Sequence, residues 1–291
     1  MSARASKAFA VPLRGIAAKA AGTALLCAVV GCAALAVHAA VPAGAESAAG
    51  ADSAIPYALQ TQPPYTVALD AGHGGMDSGA QTRVDEVTVC EATVDALYTL
   101  LAADENYVPV RTRPNGEDRS TADRAAAAAA AQASLLLSVH ANCDDDSHQS
   151  HGFECFPTPP GRTYAAQSLR FAQCIALRME AAGHRLRGEN GVRYAYYSGS
   201  RKTLAEASDQ RVRARKSFGM VEKPLCPAVL AEQCFLSNGA DLEAWASAAG
   251  CRRAARVYYE AICAYFGTVP RSDAAPAAPS MPAAQAALAV P

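Results

Sequence analysis

The sequence predicts a single α/β domain, and three observations support this fold class. Short apolar runs such as Val67–Leu69 and Leu135–Leu137 have the composition of buried strands. Longer stretches between them, such as Glu86–Leu101, repeat apolar residues at helical spacing. The chain between its two atypical ends has roughly 200 residues, which is enough for one sizeable hydrophobic core.

The N-terminal part of the chain has the pattern of an export signal. Residues 1–45 combine a basic start with an apolar run that contains no Asp, Glu, Lys or Arg from residue 20 onward. This pattern predicts a signal peptide or an N-terminal membrane anchor, with lipidation at Cys32 as a less favoured alternative. Each version places the remaining chain outside the cytoplasm, either secreted or anchored to the membrane.

Composition also sets the boundaries of the domain. Residues 46–64 are rich in Ala, Gly, Ser and Pro and predict a linker, and residues 269–291 predict a disordered Ala/Pro tail. The folded domain is therefore assigned to residues 65–268. The net charge of −1 gives no reason to expect a nucleic-acid partner, and the sequence leaves the oligomeric state open.

The cysteines leave two interpretations open. Eight of the ten lie beyond the apolar leader, and in an exported protein they permit disulfides. A domain of this size does not need such cross-links, however, and buried thiols that act as small apolar side chains are the alternative. No C-x-x-C pair suggests a zinc site built from cysteine.

Two of the predicted strands end in a histidine. His73 follows the first strand within a glycine-rich loop, and His140 ends the strand that begins near Leu135. Glu86 lies between them in the sequence, at the start of an amphipathic helix. Two imidazoles and one carboxylate form the ligand set of an open catalytic zinc site. From its own segment, Glu86 is explained equally well by a favourable interaction with the helix dipole.

The last predicted strand ends in an acid. Glu232 follows an apolar run, where a carboxylate has no evident structural purpose and is suited to act as a general base. His148 and His151 are interpreted as residues of a polar loop rather than as ligands. The charged, tyrosine-containing region 185–217 is interpreted as a solvated surface insertion, with the wall of a substrate groove as the alternative.

Three motifs, in order, resemble those of the zinc-dependent N-acetylmuramoyl-L-alanine amidases of bacterial cell-wall turnover, the type called amidase 3. Residues 70–80 resemble D-x-G-H-G-G-x-D-x-G-A, residues 138–142 resemble S-I-H-A-N, and residues 227–238 resemble P-A-V-L-V-E-x-G-F-L-S-N. An arginine commonly precedes the second motif in this family, and Arg124 matches it. The resemblance covers nearly all of residues 65–266.

The resemblance implies a fold and a site. The expected fold is a twisted, mostly parallel sheet with helices on both faces, in three αβα layers. The expected zinc ligands are His73, Glu86 and His140, and the expected catalytic residue is Glu232. The loop before Glu86 is shorter than usual, and Glu91 also matches a family position, so Glu91 is the rival zinc carboxylate. Glu86 is preferred because loops absorb length changes more easily than helices.

The implied activity is hydrolysis of the amide between N-acetylmuramic acid and L-alanine in peptidoglycan, for cell-wall turnover or daughter-cell separation. Zn²⁺ would lower the pKa of water to roughly 7, and Glu232 would take the proton and return it to the leaving amine. Two alternatives remain open. One is another zinc peptidase or amidohydrolase on the same scaffold, and the other is a catalytically silent wall-binding or regulatory module.

Overall fold

The computed structural model describes residues 59–144 and 148–272. The predicted leader, most of the predicted linker and nearly all of the predicted tail lie outside the described residues. Within the described part, no helix combines the length and the apolar character needed to cross a membrane.

Seven strands and six α-helices follow one another in the described chain, with one π-helical turn before the last helix. They are β1 (Tyr65–Ala71), α1 (Glu86–Ala102), β2 (Tyr107–Arg111), α2 (Thr121–Ala130), β3 (Leu135–Asn142), β4 (Glu154–Pro157), α3 (Ala165–Ala181), β5 (Arg193–Ser198), β6 (Arg201–Glu206), α4 (Gly219–Glu222), β7 (Ala228–Phe235), α5 (Gly239–Asp241), the π-helical turn (Leu242–Ala246) and α6 (Ala248–Phe266).

Five strands form the central sheet in the order β2-β1-β3-β7-β4. The pairings among β2, β1, β3 and β7 are parallel, and β4 is an antiparallel edge strand. The carboxyl ends of β1, β3 and β7 therefore meet at one edge of the sheet, where open α/β folds bind their ligands. The register pairs His140 with Glu232 across β3 and β7, and Glu232 with Glu154 across β7 and β4.

Helices cover both faces of the sheet, as the sequence predicts. Leu69 and Leu137 pack on one face into a large core with α1, α3 and α6. Ala68 and Leu136 pack on the other face against side chains of α2 and α4. Alternate residues of a strand point to opposite faces, so strands buried on both sides read as continuous apolar runs.

The predicted helix limits are close to the observed ones. Helix α1 begins at Glu86, as predicted, and ends one residue beyond Leu101, because its apolar stripe packs into the large core. Helix α2 begins after Ser120, whose hydroxyl accepts a hydrogen bond from the amide of Asp123 at 3.2 Å. This capping bond satisfies one of the donors that a helix leaves free at its N-terminus.

The region interpreted as a solvated insertion is partly buried, so that interpretation is wrong for its first half. Strands β5 and β6 pair as an antiparallel hairpin. Tyr194 and Tyr196 of β5 are each 1% exposed and belong to the large core. Ala195, between them, is buried on the other face of the strand with Phe156 and Leu230, so both faces of β5 contribute to packing.

Most of the cysteines beyond the leader are buried thiols. Cys90, Cys155, Cys226, Cys234, Cys251 and Cys263 are buried and form no disulfide. All six are at most 2% exposed and pack with apolar side chains in the two main cores. Of the two interpretations, these six cysteines follow the one in which they act as small apolar residues.

Contacts at both ends extend the packed region slightly beyond residues 65–268. The amide of Thr66 donates to the side-chain oxygen of Gln60 at 2.6 Å, and the hydroxyl of Ser134 donates to the same atom at 2.9 Å. At the other end, the amide of Arg271 donates to the Tyr259 hydroxyl at 2.9 Å. The domain boundaries remain predictions, and these contacts indicate where a shorter chain should begin and end.

Candidate active site

His73 is held by its own loop at the end of β1. Its backbone has a φ of +61°, in the left-handed region that non-glycine residues seldom adopt. The Nδ1 atom lies 2.9 Å from a carboxylate oxygen of Asp77, whose other oxygen accepts a hydrogen bond from Gly79. Asp77 therefore fixes the ring so that Nε2 points toward Glu86, 3.0 Å away. Such a carboxylate partner is typical of metal-binding histidines.

Two glycines of this loop leave room for the site. A Cβ atom on Gly72 would lie 2.4 Å from the ring of His140. A Cβ on Gly79 would lie 2.6 Å from the carboxylate of Glu86, and Gly79 also has a φ of +66°. Glycine is needed at both positions because any side chain would displace His140 or Glu86.

Glu86 lies between the two histidines. It is 5% exposed, and one oxygen lies 3.0 Å from His73 Nε2 and 3.0 Å from His140 Nδ1. The amides of Ala80 and Ala141 donate to its two oxygens, each at 3.0 Å. Burial alone would raise the pKa of this carboxyl, but the hydrogen bonds and charges of the histidines hold it well below its usual range.

The same interaction with Glu86 raises the pKa of His73. Burial lowers it, but the hydrogen bonds and charges of Glu86 and Asp77 outweigh burial and raise the pKa to about 9. His73 and His140 also contact each other, with ring centroids 4.9 Å apart and planes 75° apart. The Glu86 carboxylate thus contacts both imidazoles.

One nitrogen from each histidine and one oxygen of Glu86 lie within 4.8 Å of one another. Among the described residues, this is the group of His, Cys, Asp and Glu side chains whose geometry suits a metal ion. His148 and His151 do not belong to it, in agreement with their interpretation as loop residues.

Glu91, the rival carboxylate, has a different environment. Its carboxylate lies 2.6 Å from the guanidinium of Arg113 and accepts a hydrogen bond from the amide of Gly116 at 2.8 Å. Arg113 in turn donates to the carbonyls of Ala71 and Gly72, at 3.1 and 3.0 Å. Glu91 therefore supports the loop behind His73 and does not contact either histidine.

Asp70 and Arg124 form a buried ion pair that has a structural role. Asp70 is fully buried on β1, and Arg124 of α2 lies 3.1 Å from its carboxylate. The hydroxyl of Ser138 on β3 donates to the same carboxylate at 2.6 Å. This buried network joins β1, β3 and α2, so it holds the strand that leads to His73 in register with the strand that bears His140.

Glu232 lies on β7 beside His140, at the same edge of the sheet. It is 8% exposed, and its Oε2 atom has no hydrogen-bond partner among the described residues. Burial raises its pKa to about 7, and the nearby charge of Glu86 adds to this while His140 opposes it. A carboxyl with such a pKa can take up and release a proton near neutral pH.

The sequence missed Glu154, a second buried acid on the neighbouring strand β4. It lies opposite Glu232, and its carboxylate accepts a hydrogen bond from the Asn142 side chain at 2.8 Å. Arg193 and Arg187 lie 2.9 and 3.4 Å from the same carboxylate. The sequence does contain one signal for a buried acid, because Glu154 lies between two aromatic residues of a predicted strand. Its arginine partners are more than 30 residues away in the chain, so the sequence does not show that its charge is paired.

The fold and the cluster together define the class of protein. It is an α/β protein with a candidate metal site of two histidines and one glutamate at the carboxyl edge of its parallel strands. Residues 67–264 match the family described as N-acetylmuramoyl-L-alanine amidase, Amidase_3. The chain belongs to this family.

Two curated relatives share part of their length with this chain. The N-acetylmuramoyl-L-alanine amidase LytC of Bacillus subtilis is 30% identical over 204 residues, which cover 69% of this chain and 35% of LytC. The probable N-acetylmuramoyl-L-alanine amidase AmiB of Haemophilus influenzae is 25% identical over 234 residues, which cover 69% of this chain and 52% of AmiB. This chain thus spans well under two thirds of either relative.

Solved structures confirm the predicted fold class. The catalytic domain of CwlV, an N-acetylmuramoyl-L-alanine amidase from Bacillus (Paenibacillus) polymyxa, superposes with a TM-score of 0.57 at 24% identity, covering 70% of this chain and 99% of that domain. An N-acetylmuramoyl-L-alanine amidase from Clostridium difficile gives a TM-score of 0.57 at 22% identity, covering 70% of this chain and 97% of that protein.

Proposed function

We propose that this chain hydrolyses the amide between N-acetylmuramic acid and L-alanine in peptidoglycan, with Zn²⁺ as its cofactor. The observation that carries the proposal is the convergence of two imidazole nitrogens and a carboxylate oxygen beside buried Glu232, whose Oε2 atom has no hydrogen-bond partner among the described residues. Membership of the amidase family and the likeness to LytC supply the bond and the substrate.

The three clustered residues fit a zinc ion in their chemistry. His73, Glu86 and His140 provide two nitrogens and one oxygen, the donor set of an open catalytic zinc site. Their contacts of 3.0 Å are close to the separation of roughly 3.3 Å expected between ligands that share one tetrahedral zinc. Bound zinc supplies Lewis-acid chemistry, which polarises a carbonyl and makes water acidic enough to react near neutral pH.

The protein's own residues would then move the protons. Glu232 is ionised or protonated near neutral pH, because its pKa is about 7. As a carboxylate, it takes a proton from the attacking water, and as a carboxylic acid, it returns the proton to the leaving amine of L-alanine. Asp77 and the two glycines of the His73 loop keep the ligands in place during this exchange.

The proposed substrate agrees with the proposed location. A peptidoglycan amidase acts outside the cytoplasm, and residues 1–45 predict a signal peptide or a membrane anchor. We therefore propose a secreted, wall-associated or membrane-anchored protein.

The test compares wild type with Glu232→Gln on purified peptidoglycan, and measures free L-alanine amino termini and zinc content together. We expect the variant to lose 10²–10⁴-fold in rate, the usual contribution of a general base, at unchanged zinc content. Glu180→Gln removes an exposed carboxylate on α3 and serves as the matched control.

Each other outcome has a distinct meaning. Zinc binding without release of L-alanine termini would favour another amide substrate or a silent wall-binding module. Folded protein that binds no zinc would contradict the ligand assignment. An active Glu232→Gln variant would contradict the role of Glu232.

A further inference from the structure

The β5–β6 hairpin is fixed to the sheet next to Glu232. Val192, directly before β5, pairs with Cys155 of β4, and Arg193 lies 2.9 Å from the carboxylate of Glu154. Glu154 lies opposite Glu232. The inward tyrosines of β5 belong to the large core, so the hairpin is a packed part of the domain and its other face has a defined position.

That other face carries two lysines around an aromatic ring. Tyr197 of β5 pairs with Lys202 of β6 on one side and with Lys216 on the other. Residues paired across antiparallel strands point to the same face, so the three side chains form a row. The Phe218 ring lies 5.5 Å from the Tyr197 ring and 5.8 Å from the Lys202 ammonium. We call Tyr197, Lys202, Lys216 and Phe218 the hairpin face.

Contacts continue from the hairpin face to the strand that bears Glu232. The Phe218 ring lies 5.2 Å from the ring of Phe156 on β4. Phe156 lies opposite Leu230, two residues before Glu232 on β7. Electrostatics agree with this proximity, because Lys202 acts to lower the pKa of Glu232, and the charge of Glu232 adds to burial in raising the pKa of Tyr197.

The charge of this segment differs from that of the chain. Residues 185–216 contain nine Lys and Arg but three Asp and Glu, although the whole chain has a net charge of −1. Arg187 and Arg193 are paired with Glu154, and Arg213 is paired with Asp209. Lys202 and Lys216 are exposed and form no salt bridge with any other residue in the described ranges.

We propose that the hairpin face is a substrate subsite in which Lys202 and Lys216 bind a carboxylate of the peptide that follows the scissile amide. This inference rests on the proposed function and adds the feature of the substrate that is recognised. Two unpaired ammonium groups attract an anion, and the Tyr197 and Phe218 rings provide an apolar surface for the peptide beside it. A peptide with a free C-terminus carries a carboxylate there, so such a substrate offers the required group.

The experiment uses two short N-acetylmuramoyl-L-alanyl peptides, one with free carboxylates and one with all carboxylates amidated. We expect the zinc-loaded wild type to show a kcat/KM about tenfold higher for the acid peptide, the size expected from one partly exposed charge-assisted hydrogen bond. Lys202→Gln should reduce this ratio to near one, and Lys202→Arg should restore most of it.

Arg201→Gln is the matched control. Arg201 is an exposed cation next to Lys202, and adjacent residues of a strand point to opposite faces. The substitution therefore removes the same charge from the other face of the hairpin. We expect this variant to keep the wild-type ratio. The effect of Lys202→Gln should lie mainly in KM, because the carboxylate is bound equally in the ground state and the transition state.

Several outcomes would overturn the inference. Equal kcat/KM values of the wild type for both peptides would do so, as would equal effects of Lys202→Gln and Arg201→Gln. A Lys202→Gln variant that binds whole cell walls less well but keeps the peptide ratio would point to an anionic wall polymer instead. Hydrolysis of neither peptide would count against the proposed function alone, and calorimetric binding of the two peptides would then decide the subsite.

Discussion

Glu154 and Glu232 lie opposite each other on neighbouring strands, yet their surroundings differ in kind. Glu154 has two arginines and an amide donor around its carboxylate, whereas Glu232 has an oxygen with no partner among the described residues. The negative charge of Glu154 is thus neutralised by neighbouring arginines. Glu232 lies next to the His73/Glu86/His140 cluster with a raised pKa, so its missing partner can be a proton, a water or the substrate. The comparison shows that a buried carboxylate is available for proton transfer only where no neighbouring positive charge neutralises it.

The largest effect on stability is expected from Glu154→Ala. The substitution leaves Arg187 without a counter-charge and Arg193 with Glu206 alone, in a largely buried position, so we expect a loss of about 2–4 kcal/mol in the free energy of unfolding, measured with urea. Glu222→Ala is the control, because its pair with Arg162 is about one-fifth exposed on each side and should contribute less than about 1 kcal/mol. Equal losses in the two variants would contradict the distinction between compensated and exposed carboxylates.

Glu232→Gln should raise the free energy of unfolding relative to the wild type, and only at higher pH. In the metal-free protein the folded-state pKa of Glu232 is about 7 against 4.5 for the free group, so protonation favours the folded state. The wild type should match the variant below pH 4.5 and become less stable than it as the pH rises through 7. The difference should reach at most about 3 kcal/mol at pH 8.

The measurement is urea unfolding of both proteins in the presence of a chelator, at pH values from 4.5 to 8. Taking the difference between the two proteins cancels the contribution of His73, which titrates in both. Glu180→Gln should show no pH-dependent difference from the wild type. A difference between wild type and Glu232→Gln that is independent of pH would mean that Glu232 does not titrate in this range.

Removing the carboxylate behind His73 should affect metal binding more than folding. Asp77→Ala frees the Nδ1 atom of His73 and the amide of Gly79, so the ring loses its fixed orientation. We expect zinc affinity, measured by competition with a chromogenic chelator, to fall 10- to 100-fold. Asp118→Ala, an exposed acid close to the same loop, should leave zinc affinity unchanged.

The smallest effect on metal binding is expected from the rival carboxylate. Glu91→Gln removes the counter-charge of the buried Arg113 but leaves the histidines untouched, so we expect unchanged zinc affinity and a stability loss of about 1–3 kcal/mol. Glu86→Gln should abolish stoichiometric zinc binding under the same conditions. The reverse result would make Glu91 the metal ligand and contradict the geometry of the cluster.

Outside residues 185–222, the sequence alone determined the order of strands and helices, the start of α1 at Glu86 and the positions of both histidines at strand ends. These features depend on local signals: apolar period, glycine-rich turns and capping residues act over a few neighbouring positions. It also named Glu232, because an acid at the end of an apolar run stands out locally. The roles of these four residues and the identity of the metal remain predictions.

Only the tertiary structure showed that Glu86 and Glu91 have different surroundings and identified Glu154. Both glutamates lie at the start of the same helix, and one reaches the histidines while the other reaches Arg113, which depends on how α1 packs against β1 and β3. Likewise, the compensation of Glu154 and the hairpin face depend on the pairing of segments far apart in the chain. Burial and charge pairing over such separations are properties of the packed chain, and no local pattern of residues encodes them.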